Sequence, residues 1–385
     1  MFGCGGKMLE WKHDKRWNPF NSYKLLIHVE YWKKINRRNI IPAPILVTVD
    51  PSNICNLNCQ WCNSEYIRTK SHIMMSEDLL IKIADYLPVW CNSTPGVQAV
   101  CIAGGGEPLT NRHVGSFIEQ LIKNKIEVGV VTNGVLIDKF IEPLSKCSWV
   151  GVSVDAGIGQ TYNLYKGSST FGKVIENIQA LIKYSKENKT TLGSDNPAYG
   201  VSYKYLIYKT NIHEMTIAAQ TAKDIGCKNI HFRPASVPWD KLENQTVLFH
   251  DNDIQEFDNQ INKCMNLDDN TFNVYGITHK FSPQFKKSNN FKKCYAIFMT
   301  AVFEPGINHN TFNLGLCCDR RGDKTLELLK NCGNPSEISY VWGGADHWKI
   351  HDSICVSKCP RCTYQPHNEI YENVILQDNM TYKFI

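Results

Sequence analysis

From residue 45 onward, short runs rich in β-branched and aromatic residues alternate with longer amphipathic stretches, the pattern of a parallel β/α architecture. Six runs have strand character: ILVTVD (45–50), VQAVCIA (97–103), IEVGVVT (126–132), WVGVSVD (149–155), YGVSYKYLIY (199–208) and NIHFRPA (229–235). Helical periodicity fills 76–86, 111–124, 171–184 and 211–225 between them. Six repeats are two short of a closed eight-stranded barrel. The spacing therefore predicts an α/β fold built on an open, partial (β/α)6 TIM-like barrel, with its reactive groups at the C-terminal strand ends.

Residues 1–44 form a basic leading segment, with nine Lys/Arg against three Asp/Glu. Leu25, Leu26, Val29, Tyr31 and Trp32 supply one apolar face, which predicts a solvated amphipathic helix over 23–35 lying against the barrel. The barrel is assigned to 45–240. Beyond Trp239 the composition shifts to Asn, Asp, Gln and Lys, and 241–290 reads as a connecting region with one helix at 253–265 and the linker SPQFKKSNNFKK. The tail, 291–385, reads as a smaller α+β domain. It carries seven of the sixteen cysteines, a density suited to a metal-stapled module.

Composition narrows the class. A chain of 385 residues with 43% hydrophobic content can bury a large core and is not disordered. The net charge of +5 resides in the leading segment, leaves the rest near neutral, and indicates neither a nucleic-acid nor a membrane partner. No apolar run is long enough to span a bilayer and the first residues lack a signal-peptide core, so a cytoplasmic protein is expected. In a reducing compartment sixteen cysteines point to metal or redox use rather than disulfides.

The strongest chemical signal is Cys55-Asn-Leu-Asn-Cys59-Gln-Trp-Cys62, in the loop after the first strand. Three thiolates so spaced can hold one face of an iron–sulfur cube and leave one iron open; a zinc site or chance spacing are the alternatives. The motif, with an aromatic residue (Trp61) before its third cysteine, resembles the signature of the radical S-adenosylmethionine (SAM) superfamily. That resemblance implies a [4Fe-4S] cluster on Cys55, Cys59 and Cys62, with SAM chelating the open iron. It also implies reductive cleavage of SAM to a 5′-deoxyadenosyl radical, which abstracts a hydrogen atom from substrate.

Gly104-Gly105-Gly106-Glu107-Pro108 closes the second strand. Glycines at a turn are a weak signal alone; within the family pattern Gly105, Gly106 and Glu107 match the turn that approaches the SAM ammonium. Thr132, Asn133, Ser153 and Asp155 lie at the third and fourth strand ends. On their own they read as capping and turn residues, while the resemblance implies Thr132 at a ribose hydroxyl, Ser153 at the SAM carboxylate, and Asn133 and Asp155 beside them. Lys204 on the fifth strand would neutralise that carboxylate if strand phase turns it inward. Arg233 on the sixth faces SAM, substrate or a structural ion pair. His231 reads as structural.

In the tail, Cys294, a hairpin closing at Pro305-Gly306, Cys317-Cys318 and a Cys359-Pro-Arg-Cys362 pair are similar to the SPASM/twitch extension. That likeness implies an auxiliary [4Fe-4S] cluster on Cys294, Cys317, Cys359 and Cys362. Cys318, Cys332 and Cys355 leave a second cluster open, INHNTFN lengthens the hairpin, and structural zinc is the alternative. Cys4, Cys91, Cys101, Cys147, Cys227 and Cys264 read as packing residues.

The expected activity is that of a radical SAM oxidoreductase or isomerase, served by a flavodoxin- or ferredoxin-type electron donor. The forty-odd residues before the barrel look too short for a leader-binding domain, which favours oxidation or epimerisation of a small polar substrate such as a sugar, cyclitol or nucleotide derivative. A peptide- or protein-modifying maturase is the alternative. An iron–sulfur relay or zinc-binding module stands outside enzymology.

Overall fold

The computed structural model describes residues 22–235, 249–276, 291–359 and 362–376. Its centre is one ten-stranded sheet in the order β10-β9-β8-β1-β2-β3-β4-β5-β6-β7. The six expected strands are β1 Leu46–Val49, β2 Ala99–Ile102, β3 Glu127–Thr132, β4 Trp149–Ser153, β5 Gly200–Ile207 and β6 Asn229–Pro234, all in parallel register. Two further parallel strands flank them. β7 (Asn273–Gly276) pairs with β6, and β8 (Thr300–Pro305) pairs with β1. β9 (Phe312–Gly315) and β10 (Glu327–Cys332) continue antiparallel from β8, the first through the expected Pro-Gly hairpin. A count of six thus falls short of the observed parallel run, because β7 is a four-residue strand inside a polar stretch and β8 returns from the tail.

Helices cover one face of the sheet. The helices up to residue 265 are α1 Val29–Trp32, α2 Glu65–Arg68, α3 Glu77–Tyr86, α4 Val114–Lys123, α5 Ile141–Ser145, α6 Gly159–Lys166, α7 Phe171–Glu187, α8 Met215–Asp224 and α9 Asp251–Met265, of which α2 follows the cysteine loop and buries none of its residues. The leading segment is less regular than expected, a 3-10 stretch Ser22–His28 running into α1. It buries Leu25 and Trp32, while Leu26 is exposed. Helical spacing explains the covered face: α4 buries Val114, Phe117, Ile118 and Leu121, against Val47, Val49, Val100, Ile102, Val128, Val130, Val150 and Val152 of the strands. Ser76 caps α3 by accepting from the Leu79 N–H at 3.3 Å.

The opposite face is polar. The register aligns Thr48, Cys101, Gly129 and Trp149 across β1 to β4, and Ser153, Lys204 and His231 across β4 to β6. Arg233, Asp50 and Glu304 fall on the same face by alternation. Among the described residues no helix is long and apolar enough to cross a membrane. Cys4 and the greater part of SPQFKKSNNFKK lie outside the described residues.

Candidate functional site

β1 runs into the loop that carries Cys55, Cys59 and Cys62, and main-chain contacts hold that loop. Gly106 N–H donates to Ser52 C=O at 3.1 Å, Glu107 N–H to Ile54 C=O at 2.8 Å, and Gln60 N–H to Tyr165 C=O at 2.8 Å. A Cβ on Gly106 would stand 2.2 Å from the Ile54 oxygen, and one on Gly105 would stand 2.8 Å from Asn53 Oδ1. The glycine turn therefore works as a clamp on the cysteine loop: only residues without a side chain let the two backbones meet. Cys55 and Cys59 are half-buried; burial pushes the Cys55 thiol up to about 11, and raises Cys59 against the nearby Lys166 ammonium.

Glu107 is buried and saturated with donors. Its Oε1 accepts from Thr132 Oγ1 at 2.6 Å and Leu109 N–H at 3.1 Å, and its Oε2 accepts from Asn133 N–H at 2.7 Å. Burial pushes this carboxyl up and the donors pull it back. The structure thus brings Glu107, Thr132 and Asn133 together as a tie between the ends of β2 and β3. The Thr132 hydroxyl, expected at a ribose, donates its proton to Glu107, and Asn133 Nδ2 reaches Asn56 Oδ1 at 2.8 Å.

Asp155, expected as a neighbour of SAM, lies near the cysteine loop. It is buried with φ of 61° and ion-paired to Lys166, while its Oδ1 accepts from Leu206 N–H at 2.7 Å. Burial, the largest single influence, lowers the Lys166 ammonium; Asp155, Cys59 and Tyr162 together outweigh it and hold the group above its ordinary value. Ser153 ends β4, half-buried. Trp61 is 45% exposed and stacks on Tyr208, with ring centroids 5.5 Å apart.

Lys204 points inward, but toward the barrel floor. Its Cε fills the space over Gly151 and its Nζ lies 5.7 Å from the Trp149 ring, near the start of β4. Burial and the neighbouring Arg233 lower it to about 8. Cys101, expected to be packing, shares this inner face with Arg321, Asp50 and Lys204.

At the other end of the sheet, Cys294, Cys317, Cys359 and Cys362 line one largely apolar cavity with Ala296, Ile297, Leu316, Leu326 and Ile354, joined by Asp319, Arg320 and Tyr364. The first thiol is pushed up to about 11 by burial, and Cys317 and Cys362 rise further. Among the described residues no three His, Cys, Asp or Glu side chains gather tightly enough for a single ion. Four thiols spread around an apolar cavity fit a cluster better than zinc, whose four bonds of about 2.3 Å would draw the sulfurs together. Cys318 is not among the lining thiols; its Sγ donates to the hydroxyl of Tyr364, a lining residue, at 3.7 Å. Cys332 bonds Asn334 C=O at 3.1 Å and Cys355 lies exposed beside Ser357; neither these two nor Cys318 line the cavity.

Between the two thiol sets lies a buried cluster that no motif announced. Arg321 donates from Nε to Asp50 Oδ2 at 2.6 Å and from Nη1 to Cys318 C=O at 2.7 Å. Glu304 Oε2 accepts from Gly322 N–H at 2.9 Å. Burial and the Asp50 charge push Glu304 up to about 8, against Arg321 and that N–H. Asp50 stands at the end of the predicted first strand, but its partner is 271 residues away.

Comparison with known proteins agrees with this geometry. Residues 49–195 match the model of the radical SAM superfamily. A probable GTP 3′,8-cyclase of Archaeoglobus fulgidus is 29% identical over 37% of this chain and 47% of its own length. The chain thus matches about half the length of such curated relatives. Among solved structures, Streptococcus suis SuiB bound to the precursor peptide SuiA superposes with a TM-score of 0.60 at 15% identity, over 91% of this chain and 76% of its own. Native anSMEcpe with bound AdoMet does so at 0.56 and 17%, over 89% and 100%. A CxxxCxxC loop clamped at the end of the first strand of an open parallel barrel and the family match over residues 49–195 identify that part of the chain as a radical SAM domain, of a superfamily that works with a [4Fe-4S] cluster and SAM, and the solved structures share its fold.

Proposed function

We propose that this radical SAM enzyme removes a hydrogen atom from a carbon of a small polar substrate held against the inner barrel face, and oxidises or epimerises it. In this reading Cys55, Cys59 and Cys62 hold the SAM-binding cluster, and Cys294, Cys317, Cys359 and Cys362 hold an auxiliary one. The bound cluster and SAM supply the 5′-deoxyadenosyl radical. Gly105 and Gly106 fix the loop, Glu107 with Thr132 and Asn133 stiffens the strand ends, and Ser153 and Trp61 flank the place for SAM. The basic leading segment, Lys204 and Arg233 suit a substrate with an anionic group.

The observation that carries the reading is the polarity of the inner face. Asp50, Cys101, Lys204, His231, Arg233, Glu304 and Arg321 converge there between the two thiol sets, where an apolar substrate would strip them of hydrogen-bonding partners. A peptide substrate is the second reading, favoured by the fold shared with SuiB, whose structure holds a precursor peptide.

Anaerobically reconstituted protein, given dithionite, SAM and either a pool of sugar, cyclitol and nucleotide derivatives or a peptide pool, should form 5′-deoxyadenosine coupled to a mass change in the small-molecule pool. A product confined to the peptide pool overturns the proposal. Oxidation forms 5′-deoxyadenosine and product one to one without added oxidant, and epimerisation takes deuterium from solvent into the product carbon.

A further inference from the structure

We propose that Lys166, held by Asp155, is a positioning charge for the SAM-binding cluster: its ammonium faces Cys59 and makes the cluster easier to reduce. The inference rests on Cys59 being a cluster ligand and on nothing about the substrate.

Backbone contacts place Lys166 opposite Cys59. The residue before it, Tyr165, accepts from Gln60 N–H at 2.8 Å. The residue after it, Gly167, ends α6 in the left-handed region (φ 62°), where an added Cβ would stand 3.2 Å from the Asn58 carbonyl oxygen. Residues 165 and 167 therefore touch residues 60 and 58, and the two residues between, Lys166 and Cys59, are brought face to face. Arg68 braces the same loop by donating to Asn58 Oδ1 at 2.8 Å.

The charge is buried and oriented. Lys166 and Asp155 are 5% and 4% exposed and ion-paired. Both charges act on Cys59, the Lys166 ammonium from the residue that the backbone contacts place opposite it. Such a pair is retained at the cost of desolvating two ions. A cluster gains negative charge on reduction, and a fixed cation in a poorly screened setting stabilises that form. Asp155 does a second job by holding Leu206 N–H, so the orientation of the pair is fixed to β5.

The test is an EPR-monitored potentiometric titration of the full chain with reconstituted clusters, following the signal that changes when SAM is added. Lys166→Met should lower the ratio of reduced to oxidised cluster at fixed potential about tenfold, a shift of about 59 mV for one electron. Asp155→Asn, which keeps an acceptor for Leu206, should shift the potential the opposite way, and Lys166→Arg should restore it. Opposite shifts distinguish a charge effect from loosening of the loop, which would move both variants together. Unchanged potentials, or shifts of the same sign, overturn the proposal; if Lys166→Met fails to hold iron, the sign of the Asp155→Asn shift decides. Should Cys59→Ala leave the SAM-responsive signal intact, the ligand assignment fails instead.

Discussion

The two thiol sets are built in different ways. Cys55, Cys59 and Cys62 ride on one short loop held by main-chain bonds to Gly106, Glu107 and Tyr165, with the adjacent Trp61 half-exposed. Cys294, Cys317, Cys359 and Cys362 come from separate segments of the tail and line an apolar cavity. Three thiols on one loop leave room for a small molecule at the fourth iron, whereas four around one cavity can saturate a cube. The first arrangement suits chemistry and the second suits electron storage.

Separate removal of the two sets breaks this contrast most sharply. Replacing Cys55, Cys59 and Cys62 by Ala should reduce 5′-deoxyadenosine formation to background and leave about four irons per chain. Cys317→Ala should lose the auxiliary iron but still cleave SAM. Iron and sulfide analysis beside chromatographic detection of 5′-deoxyadenosine reads both, and abolition of cleavage by Cys317→Ala would merge two sites held here to be distinct.

A smaller effect is expected from what joins them. Glu304 lies beside Asp50 and Arg321 and faces Gly322 and the more distant Glu327, with its carboxyl pushed up to about 8. The folded state therefore keeps a proton that the unfolded chain releases near pH 4.5. Stability from this group is full below that pH and falls as pH rises toward about 8, by on the order of a few kcal/mol. Glu304→Gln should flatten the dependence in urea melts between these limits. An unaltered pH profile would show that Glu304 is ionised at neutral pH and that the link between the sites is a plain ion network.

Legibility follows the same division. The cysteine loop could be read because its three ligands fall within eight residues and the Gly-Gly-Glu-Pro turn follows a strand. Strand and helix periods located the barrel because valine-rich runs must be covered on one face. What escaped is made by long-range pairing. Arg321 reaches Asp50 across 271 residues, and β8 pairs with β1 although some 250 residues separate them. Lys166 belongs to no motif, and only the fold of α6 onto the loop shows that it faces Cys59. Nor does any motif announce the structural bonds of Thr132 and Asp155, which follow because burial demands partners and the nearest ones are Glu107 and Lys166.

The least change is expected at cysteines outside both sets, where the contrast between ligand and packing is sharpest. Cys147 is fully buried, with its Sγ 3.7 Å from the Pro143 carbonyl oxygen, and burial raises its thiol well away from ionisation. It acts as a small hydrophobe. Cys147→Ala removes one buried atom, and the loss should be about 1 kcal/mol in a denaturant titration. Iron content and SAM cleavage should stay at the level of the parent chain. If iron falls with this variant, the thiols beneath the sheet belong to the cluster chemistry, and the division between a short loop and a cavity in the tail is too narrow an account of where this chain keeps its metal.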